Sequence, residues 1–291
     1  MSRRYAILLG YPVSHSVSPA MHNAAFASLA IDAQYEARAV PAEGLGDAVR
    51  GLRDPAYLGA NVTVPHKGAV VPFLDALAKE ARLLGAVNTI VRRPDGSLVG
   101  DNTDAAGLQR WLVAAGAGAV VAAGDCLVLG AGGAARATVM ALARCGARSI
   151  RVLNRTPGRA AALAADLAPR LPDARLSAGP LAEAAAAGGP YAVVVNATSL
   201  GLQGLGPDVH PTRFGPGGWA VDLAYNPPDT PFMRTARVAG AQSENGLGML
   251  VHQAALSFYL WTGAQPPLAL LASAAVAALG GAARAVEGVR R

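Results

Sequence analysis

At 291 residues the chain exceeds the ~100–200 residues that one hydrophobic core usually serves, so two packed domains are expected. Apolar residues make up 52% and charged residues 15%, which excludes general disorder and leaves ample side chain for buried sheets. The net charge of +6 comes from scattered arginines without a basic run or interleaved aromatics, so anionic small molecules fit better than nucleic acid. A composition that is basic throughout would give the same figure, and charge alone decides nothing.

Tyr5 to Leu9, directly after Met-Ser-Arg-Arg, reads as a short buried strand, far less than a signal sequence or membrane span requires, and a cytoplasmic protein with no membrane partner is expected. Next come a helix over Pro19–Ala30, a strand over Ala33–Ala39, a helix over Leu45–Leu52 and a strand over Leu58–Val64. Helices near Val70–Phe73 and Asp75–Leu84 precede a hairpin whose arms, Asn88–Arg92 and Ser97–Val99, flank Arg93-Pro94-Asp95-Gly96. A helix from Ala105 to Leu112 and an Ala/Gly-rich stretch, Ala114–Gly124, separate this series from a second that opens at Asp125. There the pattern is strand Cys126–Leu129, helix to Cys145, strand Ser149–Leu153, helix Pro157–Leu167, then strands Ala192–Asn196 and Trp219–Leu223, the signature of a doubly wound parallel sheet. Ala182–Ala187 reads as helix filler, and the apolar stretches Met249–Trp261 and Pro267–Leu279 read as helices that pack on a domain face. Cys126 and Cys145 are expected to be packing residues without a disulfide.

Gly130-Ala131-Gly132-Gly133-Ala134-Ala135 gives G-x-G-x-x-A between an apolar strand and a helix, the context of a dinucleotide fingerprint. Gly130 turns the chain, Gly132 admits a pyrophosphate against backbone, and Ala135 permits close helix-to-strand packing. The next strand ends in Asn154-Arg155-Thr156-Pro157-Gly158-Arg159, with no carboxylate to hold a free ribose 2′-hydroxyl. Guanidinium groups and a hydroxyl there suit a 2′-phosphate and select NADP; the alternative is a Thr-Pro helix cap beside two solvated arginines.

In the first series, His15-Ser16-Val17-Ser18-Pro19 sets two hydroxyls at a helix start, Ser18 as an ordinary N-cap and Ser16 as a second donor for a substrate carboxylate. Asn61-Val62-Thr63-Val64-Pro65-His66-Lys67 ends a strand and puts Lys67 at a helix start, where a cation opposes the macrodipole by ~0.3–1 kcal/mol, so stability alone would not select it. Asp101 is read as a first-turn cap, whereas Asp104 is paired with Lys67 because an unpaired ammonium needs a carboxylate. Asn88, in Gly85–Thr89, is placed to hydrogen-bond a substrate hydroxyl. Asn196–Gly201 and Asp222–Pro227 fall at the carboxyl ends of strands, where open α/β sheets bind ligands, and Asn245–Met249 supplies glycines before the helix that carries Gln253.

The block His15–His22, the run Asn61–Lys67, Gly85–Thr89, Asn102–Asp104, Gly130–Ala134, Asn154–Thr156, Asn196–Ser199 and Gly246–Gln253, in this order and spacing, resemble the shikimate dehydrogenase family along nearly the whole chain. The resemblance implies that Ser16 and Ser18 hold the substrate carboxylate, that Thr63, Asn88, Asp104, Tyr225 and Gln253 surround its ring and hydroxyls, and that Lys67 and Asp104 are the catalytic pair. Gly130, Ala131, Gly132, Gly133, Ala134, Asn154, Arg155, Thr156 and Arg159 would bind NADP, with Leu223 and Gly246 beside the nicotinamide and no metal. It implies two α/β domains with a cleft between them: a discontinuous substrate domain with a mixed sheet, 1–103 plus 247–291, and a Rossmann-like NADP domain, 104–246. A monomer or homodimer is allowed. The reaction implied is reversible NADPH-dependent reduction of 3-dehydroshikimate to shikimate; a quinate or aminoshikimate dehydrogenase and a non-catalytic NADP-binding regulator are the alternatives.

Overall fold

The computed structural model describes residues 3–280. Its contacts divide the chain into two compact units: unit 1 runs to Gly107 and resumes at Val251, and unit 2 is Leu108–Leu250. The divisions thus fall a few residues beyond the expected 103/104 and 246/247.

In unit 1, β1 (Arg4–Gly10), β2 (Ala33–Ala39), β3 (Tyr57–Val62), β4 (Ala76–Leu77), β5 (Thr89–Arg92) and β6 (Leu98–Asp101) form one sheet in the order β2-β1-β3-β5-β6-β4. β2, β1 and β3 run parallel, β5 is antiparallel to both neighbours, and β4 is parallel to β6, so the sheet is mixed. Central β1 is an unbroken apolar run because both its faces are covered, and Ile7 and Leu9 join the core with Val49, Leu52, Val62 and Ile90. The helices are α1 (Ser18–Ser28), α2 (Leu45–Gly51), α3 (Lys79–Leu84) and the first turn of α4 (Asp104–Ala114). The expected helix from Asp75 is cut short. Asp75 and Ala78 donate their N–H groups to the carbonyls of Leu98 and Gly100, drawing Ala76-Leu77 to the sheet edge, and only Lys79–Leu84 coils. Val71–Phe73 is a single 3₁₀ turn rather than an α-helix.

Unit 2 adds α5 (Ala117–Ala123), β7 (Cys126–Leu129), α6 (Gly133–Arg144), β8 (Ser149–Asn154), α7 (Pro157–Leu167), β9 (Arg175–Pro180), β10 (Tyr191–Asn196), β11 (Phe214–Asp222), α8 (Pro231–Val238) and β12 (Gln242–Asn245). All pairs are parallel, in the order β12-β11-β10-β7-β8-β9. This is the doubly wound arrangement, with its reversal between β7 and β10, the place where such sheets bind ligands. The Ala182–Ala187 stretch is a 3₁₀ segment, Leu181–Ala185, that ends as Ala186 becomes extended. Both cysteines are free; burial in β7 pushes the Cys126 thiol up to about 12, and burial also raises Cys145.

From Val251 the chain rejoins unit 1 through α9 (Leu247–Thr262) and α10 (Leu268–Ala278), which packs on α1. Trp261 of α9 donates its indole N–H to the Ile90 carbonyl at 2.9 Å. Glycine is required beneath it: a Cβ on Gly59, at φ +154°, would lie 2.0 Å from that carbonyl and 2.7 Å from the indole nitrogen. His22 stacks on Tyr35 at 4.4 Å in the same aromatic cluster, and full burial lowers its pKa to about 3. Among the described residues, no single helix is long and apolar enough to cross a membrane.

Candidate active site

The parallel and antiparallel directions of unit 1 bring the ends of β1, β3 and β6 and the start of β5 to one sheet edge. Thr63 N–H bonds Leu9 O and Tyr11 N–H bonds Val64 O, joining the exits of β1 and β3, while Val62 and Asn88 donate N–H groups to Asn88 O and Asp101 O. Lys67 lies on this edge in a turn, its carbonyl accepting from Val87 N–H. No helix starts there, since the short 3₁₀ turn begins only at Val71, so the helix-dipole argument for Lys67 does not hold. A carboxylate partner holds the ammonium instead. Lys67 Nζ is 2.6 Å from Asp104 Oδ2, with the lysine side chain 24% exposed and Asp104 buried.

Asp104 is the first residue of α4, where a negative charge favours the helix, and its own N–H is taken by Asn102 Oδ1 at 3.0 Å. Its second oxygen, Oδ1, accepts from Asn88 Nδ2 at 2.8 Å. Cation, carboxylate and amide therefore form one hydrogen-bonded line. Gln253 joins it, its Oε1 lying 3.4 Å from both Asn88 Nδ2 and Thr103 Oγ1. Gly107 makes room for it, because a Cβ there would meet the Gln253 backbone and Cβ within 2.8 Å. Asp101 is not a helix cap: it ends β6, accepts from Asn102 N–H at 2.7 Å, and is shifted up chiefly by burial.

Ser16 and Ser18 follow β1 on the same edge. Ser18 is the first residue of α1 rather than its N-cap, which is Val17 and makes no side-chain cap, and Ser16 Oγ accepts from the Ser18 N–H at 3.2 Å. Thr63 leaves β3 with its methyl group over Gly10. Tyr225 belongs to unit 2, in the segment after β11. The residues that tie this site from behind, Asn61, Thr89 and Ser257, carried no assigned role in the sequence reading; Ser257 lies one helical turn beyond Gln253, a spacing that points it to the same face.

In unit 2 the Gly-rich turn leaves β7 at the sheet's reversal. Gly130 has φ +109°, and a Cβ there would lie 2.9 Å from the Ala197 carbonyl. Gly132 and Gly133 face open space where a Cβ would meet nothing within 4 Å. α6 begins with no side-chain cap and no acid in its first turn, leaving its first N–H groups to an anion. Ala131 and Ala134 flank those glycines, half-buried. At the end of β8, Asn154 Nδ2 bonds Thr156 O at 3.0 Å, Arg155 and Arg159 are exposed, and Thr156 precedes α7 without capping it through its side chain. Thr156 is thus the N-cap of α7 by position, with Pro157 after it, while its hydroxyl and the two exposed guanidinium groups leave donors that fit a dinucleotide with a 2′-phosphate. Leu223 and Gly246 come together: Gly246 N–H bonds Ala224 O, and a Cβ on Gly246 would be 2.1 Å from the Leu223 carbonyl. Asp222, buried and shifted up by desolvation, accepts from Asn196, Thr230 and the Ala224 N–H, which fixes the loops after β10 and β11.

The family described as Shikimate dehydrogenase substrate binding domain matches residues 8–90, Shikimate / quinate 5-dehydrogenase matches 114–201, and Shikimate 5'-dehydrogenase C-terminal domain matches 246–275. Over 260 residues the chain is 46% identical to the shikimate dehydrogenase (NADP(+)) of Salinibacter ruber, covering 88% of this chain and 90% of that one. The chain belongs to the shikimate dehydrogenase family. A family member from Thermus thermophilus, solved in complex with NADP(H) and shikimate, superposes with a TM-score of 0.82 at 40% identity, over 94% of this chain and 99% of that one. The quinate dehydrogenase of Corynebacterium glutamicum, in complex with NAD, has the same fold at a TM-score of 0.83 but 28% identity, over 94% of this chain and 99% of its own.

Proposed function

We propose that this shikimate dehydrogenase family member catalyses the reversible NADPH-dependent reduction of 3-dehydroshikimate to shikimate, a step toward the aromatic amino acids. The observation that carries the reading is the Lys67–Asp104 pair, an ammonium held at 2.6 Å by a buried carboxylate on the edge that also bears Ser16, Ser18 and Thr63. When bound, NADPH supplies the hydride. As charge develops on the ring ketone, Lys67 both stabilises the alkoxide and donates its proton, and Asp104 orients the ammonium. The substrate carboxylate is assigned to the Ser16 and Ser18 hydroxyls, and the ring and its hydroxyls to Thr63, Asn88, Tyr225 and Gln253. The pyrophosphate is assigned to the turn Gly130, Ala131, Gly132, Gly133 and Ala134 at the start of α6, the 2′-phosphate to Asn154, Arg155, Thr156 and Arg159, and the nicotinamide to the neighbourhood of Leu223 and Gly246. Absence of a carboxylate at the end of β8 favours NADP over NAD, and with it the biosynthetic direction over quinate catabolism. Steady-state rates on shikimate and quinate, each with NADP⁺ and NAD⁺, test this. The highest kcat/KM is expected for shikimate with NADP⁺; preference for quinate with NAD⁺ would overturn it.

A further inference from the structure

Behind Asp104 lies a buried polar cluster of which only Asn88 is assigned to the substrate. Asn88, Thr89, Thr103 and Ser257 are all buried, each 4% exposed or less. Their proton directions can be worked out from groups that cannot reverse. Asp104 only accepts, so the side of Asn88 that faces it is the NH₂; the Thr103 backbone N–H only donates, so the side it meets at 2.8 Å is Oδ1. The second hydrogen of Asn88 Nδ2 goes to Thr103 Oγ1 at 2.9 Å. Asn88 Oδ1 also takes the one proton of Thr89 Oγ1, at 2.8 Å. Thr89 and Ser257 oxygens are 2.7 Å apart, and because the Thr89 proton is committed, this short contact takes the Ser257 proton in preference to the Gln253 carbonyl at 3.1 Å. Thr103, having accepted from Asn88, has three acceptors for its own proton, Ser257 Oγ at 3.2 Å, Asn88 Oδ1 at 3.3 Å and Gln253 Oε1 at 3.4 Å, and Ser257 is the nearest of them.

We propose that Ser257 is a positioning residue that closes a one-way ring of hydrogen bonds, Asn88 to Thr103 to Ser257 to Thr89 and back to Asn88, which aims the remaining Asn88 N–H at Asp104 and so sets the Lys67–Asp104 pair. Each member donates one proton and accepts one, so the bonds polarise one another in the same sense. Asn61 braces the ring from outside. Its Nδ2 lies 3.0 Å from Asn88 O, 3.2 Å from Thr89 Oγ1 and 3.1 Å from Ser257 Oγ, while its Oδ1 accepts from Tyr35 at 2.8 Å. Ser257 is the ring member supplied by α9, so the returning helix fixes a catalytic carboxylate it does not itself bond.

The inference rests on the proposed dehydrogenase reaction, and the test separates the two: a wild-type protein without shikimate dehydrogenase activity refutes the reaction, whereas an active wild type lets the ring be judged by its variants. Ser257→Ala and Thr89→Val each break the ring at one oxygen while suiting their local backbone. Each is expected to lower kcat roughly tenfold, in the range of lost supports behind a catalytic group, and the double variant no further than either alone. Thr262→Ala, which removes a hydroxyl bonded at 2.8 Å to Phe258 O on the same helix, is the control and should lower Tm without lowering kcat. Should Ser257→Ala fold poorly, Thr89→Val carries the same expectation alone. Folded variants with wild-type kcat, or losses in kcat that multiply in the double variant, would overturn the ring.

Discussion

Asp104→Asn is the sharpest probe of the pair at the sheet edge, because the substitution keeps the side chain's shape while replacing one carboxylate oxygen by an NH₂ group and removing the charge. In the wild type both partners donate: Lys67 to Oδ2 at 2.6 Å and Asn88 to Oδ1 at 2.8 Å. An amide offers one acceptor and one donor, so one partner must face an N–H. Asn88 is 3% exposed and has no route to water, whereas the Lys67 side chain is 24% exposed and can swing out. The new carbonyl oxygen should therefore stay with Asn88, and Lys67 should be released. One charge-assisted bond is lost, ~1.5–3 kcal/mol before solvation of the freed ammonium offsets part of it, so about 2 kcal/mol and a few degrees in Tm are expected. Catalysis should suffer far more, since an unanchored lysine no longer meets the developing alkoxide: ~10²–10⁴ in kcat, the usual worth of a placed general acid. Calorimetry and steady-state oxidation of shikimate read the two effects separately. A variant that keeps kcat to within about threefold while its Tm falls would show that the pair is structural and refute the reasoning.

Lys67→Ala should lower kcat by ~10²–10⁴ with KM for shikimate changed much less, measured in the same assay; turnover close to wild type would remove Lys67 from the chemistry. Arg155→Ala should raise KM for NADP⁺ by about tenfold to a hundredfold, the worth of a charge-assisted phosphate bond, and leave KM for NAD⁺ unchanged; equal effects on both would place the arginine elsewhere. His22, held near 3 in the fold against 6.5 when unfolded, stays neutral in the core while the unfolded chain takes up a proton. The stability this contributes is complete above 6.5 and is lost as pH falls toward 3, at about 1.4 kcal/mol per pH unit at most. Urea unfolding at pH 7 and pH 5 should show that slope, and His22→Phe, which preserves the stack on Tyr35, should abolish it; a slope surviving in the variant would assign the linkage to other groups.

Legibility in the sequence followed burial. β1 and β7 could be read almost to the residue because central parallel strands are continuous apolar runs, the edge strand β2 because Ala33–Ala39 alternates apolar with polar residues, and α7 because it opens on Thr156-Pro157. The edge strands β9 and β12 escaped, the one because it ends in Gly179-Pro180 and has a single buried residue, the other because it is composed of Gln242, Ser243, Glu244 and Asn245. α8 was missed although Thr230 caps it through the Met233 N–H, and α5 hid in an Ala/Gly-rich stretch that carries no periodicity. At the site, residue types and spacing paired Lys67 with Asp104, as the structure does, whereas the bond from Asn88 to Asp104 was not foreseen. The reason offered for Lys67 did not hold, since spacing cannot distinguish a turn from a helix start. Ser257 was invisible because a serine in an apolar helix declares nothing until Thr89 and Thr103, 168 and 154 residues earlier, are brought to it.

The interrupted path of unit 1 bears on how the protein is made. Unit 2 lies on one continuous stretch, Leu108–Leu250, and has all its strands once that stretch has left the ribosome. Unit 1 is translated first but stays unfinished through those residues, with the Ile90 carbonyl awaiting Trp261 and the Thr89 and Thr103 hydroxyls awaiting Ser257. The earlier-born half is thus the later to mature, and during synthesis it is the amino-terminal sheet that needs shielding from aggregation.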